Sequence, residues 1–359
     1  MRILDRYIAG SFLKNLVMAL LGLTAVFAFQ AMLSELIERR YPPVQILTLH
    51  AYMVPQTLVQ MLPPAVLLAA TLTLSGLNRT HELTAIRSIG VGLPRLVGVL
   101  LSLTFIASCF ALVVQDRILP PLHKKRTLFY WREMKKRNDF FMDVRQNKIW
   151  YRSRNLIYNL KTFDRDQQSI QGMSVYTFSD DFDLVRVIEA ERASYTPDGW
   201  KLRNGTVTNF APEEPFPLTE KFKEMSLQIA ETPRDFQEIE KEVEALRIRE
   251  LWAYIDRARS AGVDTKSYEV KFHSKISTSF IPLVMCALGV PFAVRNRREG
   301  SVAKDVGVCL FFTFFYWLFH SAGLSLGTNG ALPPALAAWL PSTIFAALAA
   351  TLITRSQRA

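Results

Sequence analysis

The chain has 359 residues, half of them hydrophobic, and a formal net charge of +11. Several uninterrupted apolar runs reach the ~20 residues needed to cross a bilayer, which excludes an ordinary soluble domain. The positive charge lies largely in short segments beside those runs, as cytoplasmic loops carry it, and no segment has the pattern of an RNA or DNA reader, which excludes a nucleic-acid partner.

Residues 1–13 make a short basic amphipathic start, with Arg2, Arg6 and the adjoining Lys14. The first span is expected over 12–32 and is too long for the apolar core of a signal peptide, so it stays as a membrane helix. It ends in Ser34-Glu35-Leu36-Ile37-Glu38-Arg39-Arg40, with Gln30 one turn earlier. Such groups mark the membrane interface or line a cavity for an amphipathic substrate. The second span, 52–77, carries Pro55, Pro63 and Pro64, each of which removes a backbone donor and kinks a helix unless neighbours compensate. Gln56 and Gln60 share one face and are expected to bond a neighbouring helix. The third span, 93–114, closes with Asp116 and Arg117. A basic segment from His123-Lys124-Lys125-Arg126 to Lys135-Lys136-Arg137 follows and reads as a helix continuing past the membrane surface.

From 139 to 235 the apolar period changes to two. Strands are predicted at 149–151, 156–160, 173–178, 184–195 and 200–210, with turns at Asn155, Asp164, Ser179-Asp180-Asp181 and Pro197-Asp198-Gly199. Short strands with regular turns imply an antiparallel sandwich or open barrel of one small domain. Asn204-Gly205-Thr206 reads as a further turn. Residues 245–261 are an amphipathic helix with Leu246, Leu251, Ile255 and Ala258 on one side. Spans four, five and six follow at 272–294, 306–326 and 334–353, with a strongly basic loop, Arg295 to Lys304, between four and five. The layout is three spans, an inserted β-domain and three spans: 1–116 with spans one to three, 117–138 a helical extension, 139–235 the β-domain, 236–271 a connecting segment, 272–359 the last three spans. Six spans put both termini on one side, and the basic loops assign that side to the cytoplasm and the β-domain to the periplasmic side of the inner membrane.

The polar stretch 78–90 links spans two and three. Thr80 is expected to cap a short helix with Glu82 in its first turn, Leu83, Ile86 and Ile89 recur at helical spacing, and Gly90 is a natural stop. The product is a small amphipathic helix that presents Glu82 and Arg87 to water. By pattern alone it serves equally as a docking surface for a soluble partner or as a plain connector.

Chemistry elsewhere is sparse. Cys109, Cys286 and Cys309 lie inside apolar runs, so no disulfide staples the β-domain. There is no nucleotide-binding Gly-x-x-x-x-Gly-Lys-Ser/Thr loop, so the chain does not hydrolyse ATP itself; His81-Glu82 begins a zinc-protease pattern but the second histidine is missing. No metal site and no catalytic cluster is expected. Charges within the spans are few and peripheral, which counts against a proton- or ion-coupled carrier; His320 is the exception, able to bind or relay but expected rather to bond a neighbouring helix. A permease driven by a separate ATPase fits this combination.

Leu4-Asp5-Arg6-Tyr7-Ile8, His81-Glu82-Leu83-Thr84-Ala85-Ile86-Arg87-Ser88-Ile89-Gly90, Tyr268-Glu269-Val270 with His273-Ser274-Lys275, and Leu332-Pro333-Pro334 with Trp339-Leu340-Pro341 occur in an order that resembles the LptF/LptG family of lipopolysaccharide export permeases, more its LptG branch than LptF. The resemblance spans essentially the whole chain. It implies that the β-domain is a periplasmic antiparallel β-jellyroll. It implies a heterodimer with an LptF-like permease, docking of an LptB-like ATPase dimer that binds the ATP and Mg (this chain holds no cofactor), and transfer of lipid to an LptC-like jellyroll protein and an LptA-like bridge. Glu82 matches the family's coupling-helix carboxylate; His81, Leu83, Ala85, Ile86, Arg87 and Gly90 surround it. Arg39 and Arg40 fall near a basic pair that faces lipid phosphates in the family, whereas the family's lysine within span one has no counterpart in Gln30-Ala31-Met32. Gln30, Glu35, Arg117 and Lys124 complete the candidate lipid contacts, with Lys125 at the same level. The alternative from another class of assembly is a transmembrane subunit for lipoprotein release or mechanotransmission, which commonly has four spans; a membrane-anchored enzyme would need a catalytic cluster in the β-domain.

Overall fold

The structure, a computed structural model, describes residues 3–38, 42–130, 133, 141–145, 148–153, 156–164, 169–179, 183–196, 199–210, 217–227, 246–260, 264–294 and 302–358. These residues divide into two compact units, one of 1–121 with 269–359 and one of 122–268.

The first unit holds six helices long and apolar enough to cross a membrane. α1 (Ile3–Glu38) absorbs the basic start and the first span into one helix. A short α2 (Pro43–Ala51), with proline in its first turn, precedes α3 (Val54–Arg79). Pro63 and Pro64 lie inside α3 without ending it. After α4 (Glu82–Ser88), α5 (Leu93–Val113) passes into one π-turn (Val114–Ile118) and then α6 (Leu119–Phe129). In the second half, α8 (Lys266–Val294) starts six residues before its predicted span, α9 (Val302–Thr328) follows, and α10 (Pro334–Arg358) ends the described chain. The basic loop 295–301, like Arg39 and Arg40, lies outside the described residues.

α3 and α8 are the most buried spans, and α1 and α9 the least. Two apolar clusters explain this. One joins α1, α3, α4 and α5 to the end of α8 around Phe12, Ala69, Leu74, Leu96 and Val290. The other joins α3, α8, α9 and α10 around Leu67, Met285, Leu288, Tyr316 and Phe345. α3 belongs to both. It comes close to α8 because Gly289 has no side chain: a Cβ there would meet Thr71 Oγ1 at 3.0 Å and Ala70 Cβ at 3.3 Å. Small residues at crossing points let membrane helices approach. Polar contacts bind the spans further: Asn15 Nδ2 donates to Thr73 Oγ1 (2.9 Å), Ser279 Oγ to Gln115 Oε1 in the π-turn (2.9 Å), and Tyr316 and Ser342 share a 2.8 Å bond. Gln60 is exposed, and neither it nor Gln56 bonds another helix among the described residues. His320 is buried and stacks on Tyr316, with Nδ1 unpartnered among the described residues, rather than bonding a neighbouring helix.

The second unit contains an antiparallel sheet of seven strands in chain order: β1 (Phe141–Arg145), β2 (Lys148–Ser153), β3 (Leu156–Asp164), β4 (Ser169–Phe178), β5 (Leu184–Thr196), β6 (Gly199–Asn209) and β7 (Leu218–Leu227). β1 and β7 were not predicted. Alternation of side chains puts Tyr158, Leu160, Val175, Ile188, Trp200 and Leu202 inside. A crease crosses the sheet. The paired register skips residues 161, 172, 191, 204 and 223, which lie opposite one another on β3 to β7. Gly172 (φ 63°) and Asn204 (φ 52°) on this line are left-handed. Inward positions step by three across it, from Ile170 to Met173 and from Ala190 to Ala193, so the apolar face stays continuous while the strands bend, as bulges achieve at sheet corners. Asn204-Gly205-Thr206 is therefore a bend inside β6 and not a turn. In the same unit, α7 (Ile248–Ser260) buries Leu251, Tyr254, Ile255 and Ala258, with Tyr254 edge-on to Tyr268 (5.1 Å).

Gly205 tests the crease. A Cβ there would run into the Glu189 carbonyl oxygen and reach 2.5 Å from Phe222 Cζ. Gly205→Ala is expected to destabilise the β-domain by ~1–3 kcal/mol, the range for overpacking. Limited proteolysis of the full chain in detergent during a temperature ramp reads this as earlier cutting within 184–227; an unchanged cutting temperature would refute the close approach.

Candidate functional site

α3 ends where its last carbonyls run out of helical donors. Thr80 closes it: its N–H donates to Gly76 O (3.1 Å) and so does its hydroxyl (3.2 Å). Thr80 therefore serves the end of α3 and does not cap α4, as its sequence position suggested. The residue at the N-cap of α4 is His81, in the left-handed region (φ 58°, ψ 8°) with no side-chain cap bond. That conformation costs a non-glycine residue ~1–2 kcal/mol. It breaks the helical path between α3 and α4, and the His81 carbonyl accepts the first helical bond, from Ala85 N–H (3.1 Å).

The end of α4 is a Schellman motif: Val91 N–H donates to Ile86 O (3.3 Å) and Gly90 N–H to Arg87 O (3.0 Å), with Gly90 left-handed at φ 82°. Two side chains anchor the helix. Leu83 (2% exposed) and Ile86 (7%) join the apolar cluster of α1, α3 and α5. Ile89, expected on the same face, is instead exposed at 74%, because the chain has left the helix there.

The outward side carries His81, Thr84, Ala85, Arg87, Ser88 and Gly90, all exposed. Glu82 is not among them. It is half-buried, and its Oε2 accepts a 2.9 Å bond from Tyr7 OH of α1. The surface thus has a small apolar patch at Ala85 and Ile89 beside a cation at Arg87, with the Glu82 carboxylate held at its inner edge.

Two ion pairs flank α4, and neither was singled out from the sequence. Before it, Arg79 Nη2 donates to Asp305 Oδ2 in the first turn of α9 (3.0 Å), where Ser75 Oγ also donates (2.7 Å). After it, Arg95 grips Asp5 of α1 in a bidentate pair, Nε to Oδ1 (3.2 Å) and Nη2 to Oδ2 (3.0 Å). Asp5 and Tyr7 stood within a family-like stretch, but nothing in one sequence says which distant residue a charge meets. Asp305 was hidden by its place beside the basic loop.

The candidate lipid contacts are scattered among the described residues. Gln30 is exposed on α1. Glu35 is half-buried and faces His50 of α2 (3.9 Å), whose ring nitrogens lack hydrogen-bond partners among the described residues. Arg117 is exposed on the π-turn, and Lys124 and Lys125 are exposed on α6. Arg39 and Arg40 fall outside the described residues. Among the described residues, no group of three or more His, Cys, Asp or Glu could hold a metal ion.

Residues 6–355 match the family described as lipopolysaccharide export system permease LptF/LptG. The chain is also similar to the lipopolysaccharide export system permease protein LptG of Haemophilus influenzae, 23% identical over 364 residues that cover 99% of each chain. The match takes in all but the ends of the chain, with its six helices long and apolar enough to cross a membrane and the antiparallel sheet between the third and the fourth, and the chain belongs to the LptF/LptG family of lipopolysaccharide export permeases.

Proposed function

We propose that this lipopolysaccharide export permease is an ATP-driven subunit of the LptG kind, with α4 as the element that receives the stroke of a separate ATPase. The observation that carries this reading is the two-sidedness of α4: Leu83 and Ile86 are buried among the spans, while Ala85, Arg87 and Ile89 are exposed. A plain connector would be two-sided as well, but it gains nothing from a large apolar side chain such as Ile89 held 74% exposed beside a cation. The chain has no nucleotide-binding loop of its own, so ATP and Mg bind to an LptB-like ATPase dimer. The reading sets α4 and both termini in the cytoplasm, as the positive-inside rule requires, and the β-domain in the periplasm.

Lipopolysaccharide carries acyl chains and phosphates. Its apolar part suits spans that present large apolar side chains outward, such as Val17, Leu21 and Phe29 on α1 and Leu310, Phe314 and Leu318 on α9. These least-buried spans are also the faces left for an LptF-like partner permease. The phosphates suit cations at the periplasmic rim, for which Arg39, Arg40, Arg117, Lys124 and Lys125 are the candidates, with Gln30 and Glu35 nearby in sequence. The β-domain, with its continuous apolar face, acts as the jellyroll that hands lipid to an LptC-like protein and then an LptA-like bridge.

Two expectations separate this from a plain connector. Glu82→Ala is expected to abolish co-purification with the ATPase or to lower lipid release at least tenfold, the scale for losing a charge-assisted contact. Tyr7→Phe, which removes only the internal partner of Glu82, is expected to leave both nearly intact. Unchanged assembly and release in Glu82→Ala, or equal loss in Tyr7→Phe, would contradict docking through this carboxylate. His81 contributes backbone geometry: His81→Gly is expected to keep release at the wild-type level and His81→Val to lose it, since a β-branched residue is a strong outlier at φ 58°. Equal behaviour of the two variants would mean that the left-handed residue is dispensable.

A further inference from the structure

The three elements α3, α4 and α5 form one hairpin, and a cation stands at each shoulder of it. Arg79 ends α3, and Arg95 lies in the first turn of α5. Each reaches a carboxylate in the first turn of a different helix, Asp305 of α9 and Asp5 of α1. Within this chain these two helices are the least buried spans, with 22% and 17% of their apolar windows inside the protein, and their outward faces are the ones left for the partner permease.

The carboxylates are shielded, with side chains 10% and 16% exposed, and each accepts more than one hydrogen bond. Their position in a first helical turn adds the favourable field of the helix N-terminus. Shielded, multiply bonded pairs of this kind are stiffer links than exposed ion pairs. Apolar packing holds the hairpin against its neighbours without fixing a direction, whereas a bidentate or doubly bonded carboxylate is carried along a defined line.

We propose that Arg79–Asp305 and Asp5–Arg95 are the two transmission links that carry displacement of the α4 hairpin to α9 and α1. The four residues are positioning residues: they touch neither nucleotide nor lipid. This inference rests on the reading of α4 as the docking element. It adds that the stroke divides at the hairpin shoulders, one branch to each of the two spans that face outward from this chain. Ser75 belongs to the α9 branch, since it shares Asp305 Oδ2 with Arg79.

The test uses the chain assembled with its partner permease and ATPase in proteoliposomes, and reads three quantities: ATPase co-purification, ATP hydrolysis, and lipopolysaccharide released per ATP. Asp305→Asn and Asp5→Asn are expected to leave assembly intact and hydrolysis within about twofold, while release per ATP falls about tenfold, the scale of one charged hydrogen bond. Asp305→Glu and Arg79→Lys, which keep the charges, are expected to retain most of the release per ATP. Wild-type release per ATP in both Asn variants would overturn the proposal, as would equal loss in the charge-keeping variants. Where an Asn variant fails to assemble, hydrogen exchange on the wild-type complex decides. Trapping with nucleotide and vanadate is expected to change protection at 3–10 and at 302–310; no change at either segment would overturn the links. Failure of the wild-type chain to co-purify with the ATPase would instead refute the docking reading on which they rest.

Discussion

A helix of seven residues does not persist in water by itself, because nucleation costs more than so few hydrogen bonds return. α4 exists only because its surroundings hold it. Burial of Leu83 and Ile86 contributes on the order of 1.5–3 kcal/mol for each side chain. The Schellman bonds to Ile86 and Arg87 satisfy its last carbonyls, and an exposed bond from Tyr7 to Glu82 adds a minor tie of its first turn to α1. The same contacts that stabilise α4 therefore fasten it to three spans. A force on its exposed side cannot be absorbed by local unfolding without breaking them, and this makes a short helix an effective lever.

Behind the lever, α3 is the shared wall of both apolar clusters. Its prolines lie between neighbours that bury them, so the helix tolerates two missing donors at its centre. Gly289 and the small residues Ala70 and Thr71 let α8 lie close against it. The centre of the unit is thus tightly packed around α3 and α8, while α1 and α9 turn large apolar side chains outward.

The six spans were legible because length and apolarity alone define them. α1 extends beyond its predicted ends because its basic and acidic flanks form helix as readily as its apolar middle does. The sheet's inner strands were legible through alternation. β7 was not, because Glu220, Lys221, Lys223 and Glu224 break any apolar rhythm along Leu218–Leu227; it pairs with β6 through its backbone. At the candidate site, Leu83, Ile86 and the stop at Gly90 followed from spacing and turn chemistry. The start did not: Thr80 has the right side chain for a cap, but its hydroxyl is already committed to Gly76 of α3, and the left-handed His81 stands at the N-cap instead. The ion pairs at Asp305 and Asp5 join residues 226 and 90 positions apart, a separation over which no local pattern carries information. Arg39 and Arg40 lie outside the described residues, so the lipid-phosphate reading there rests on resemblance alone.

The central claim is that a soluble ATPase sits on the exposed side of α4. Photo-cross-linking from that side tests it most directly. A benzophenone amino acid placed at Ala85 or Arg87, in the chain co-expressed with its partners in cells, is expected to capture the ATPase, while the same probe at Phe314 on the outward face of α9 captures none. Capture from neither α4 position, with the complex still assembled, would contradict the account and return α4 to a connector between two spans.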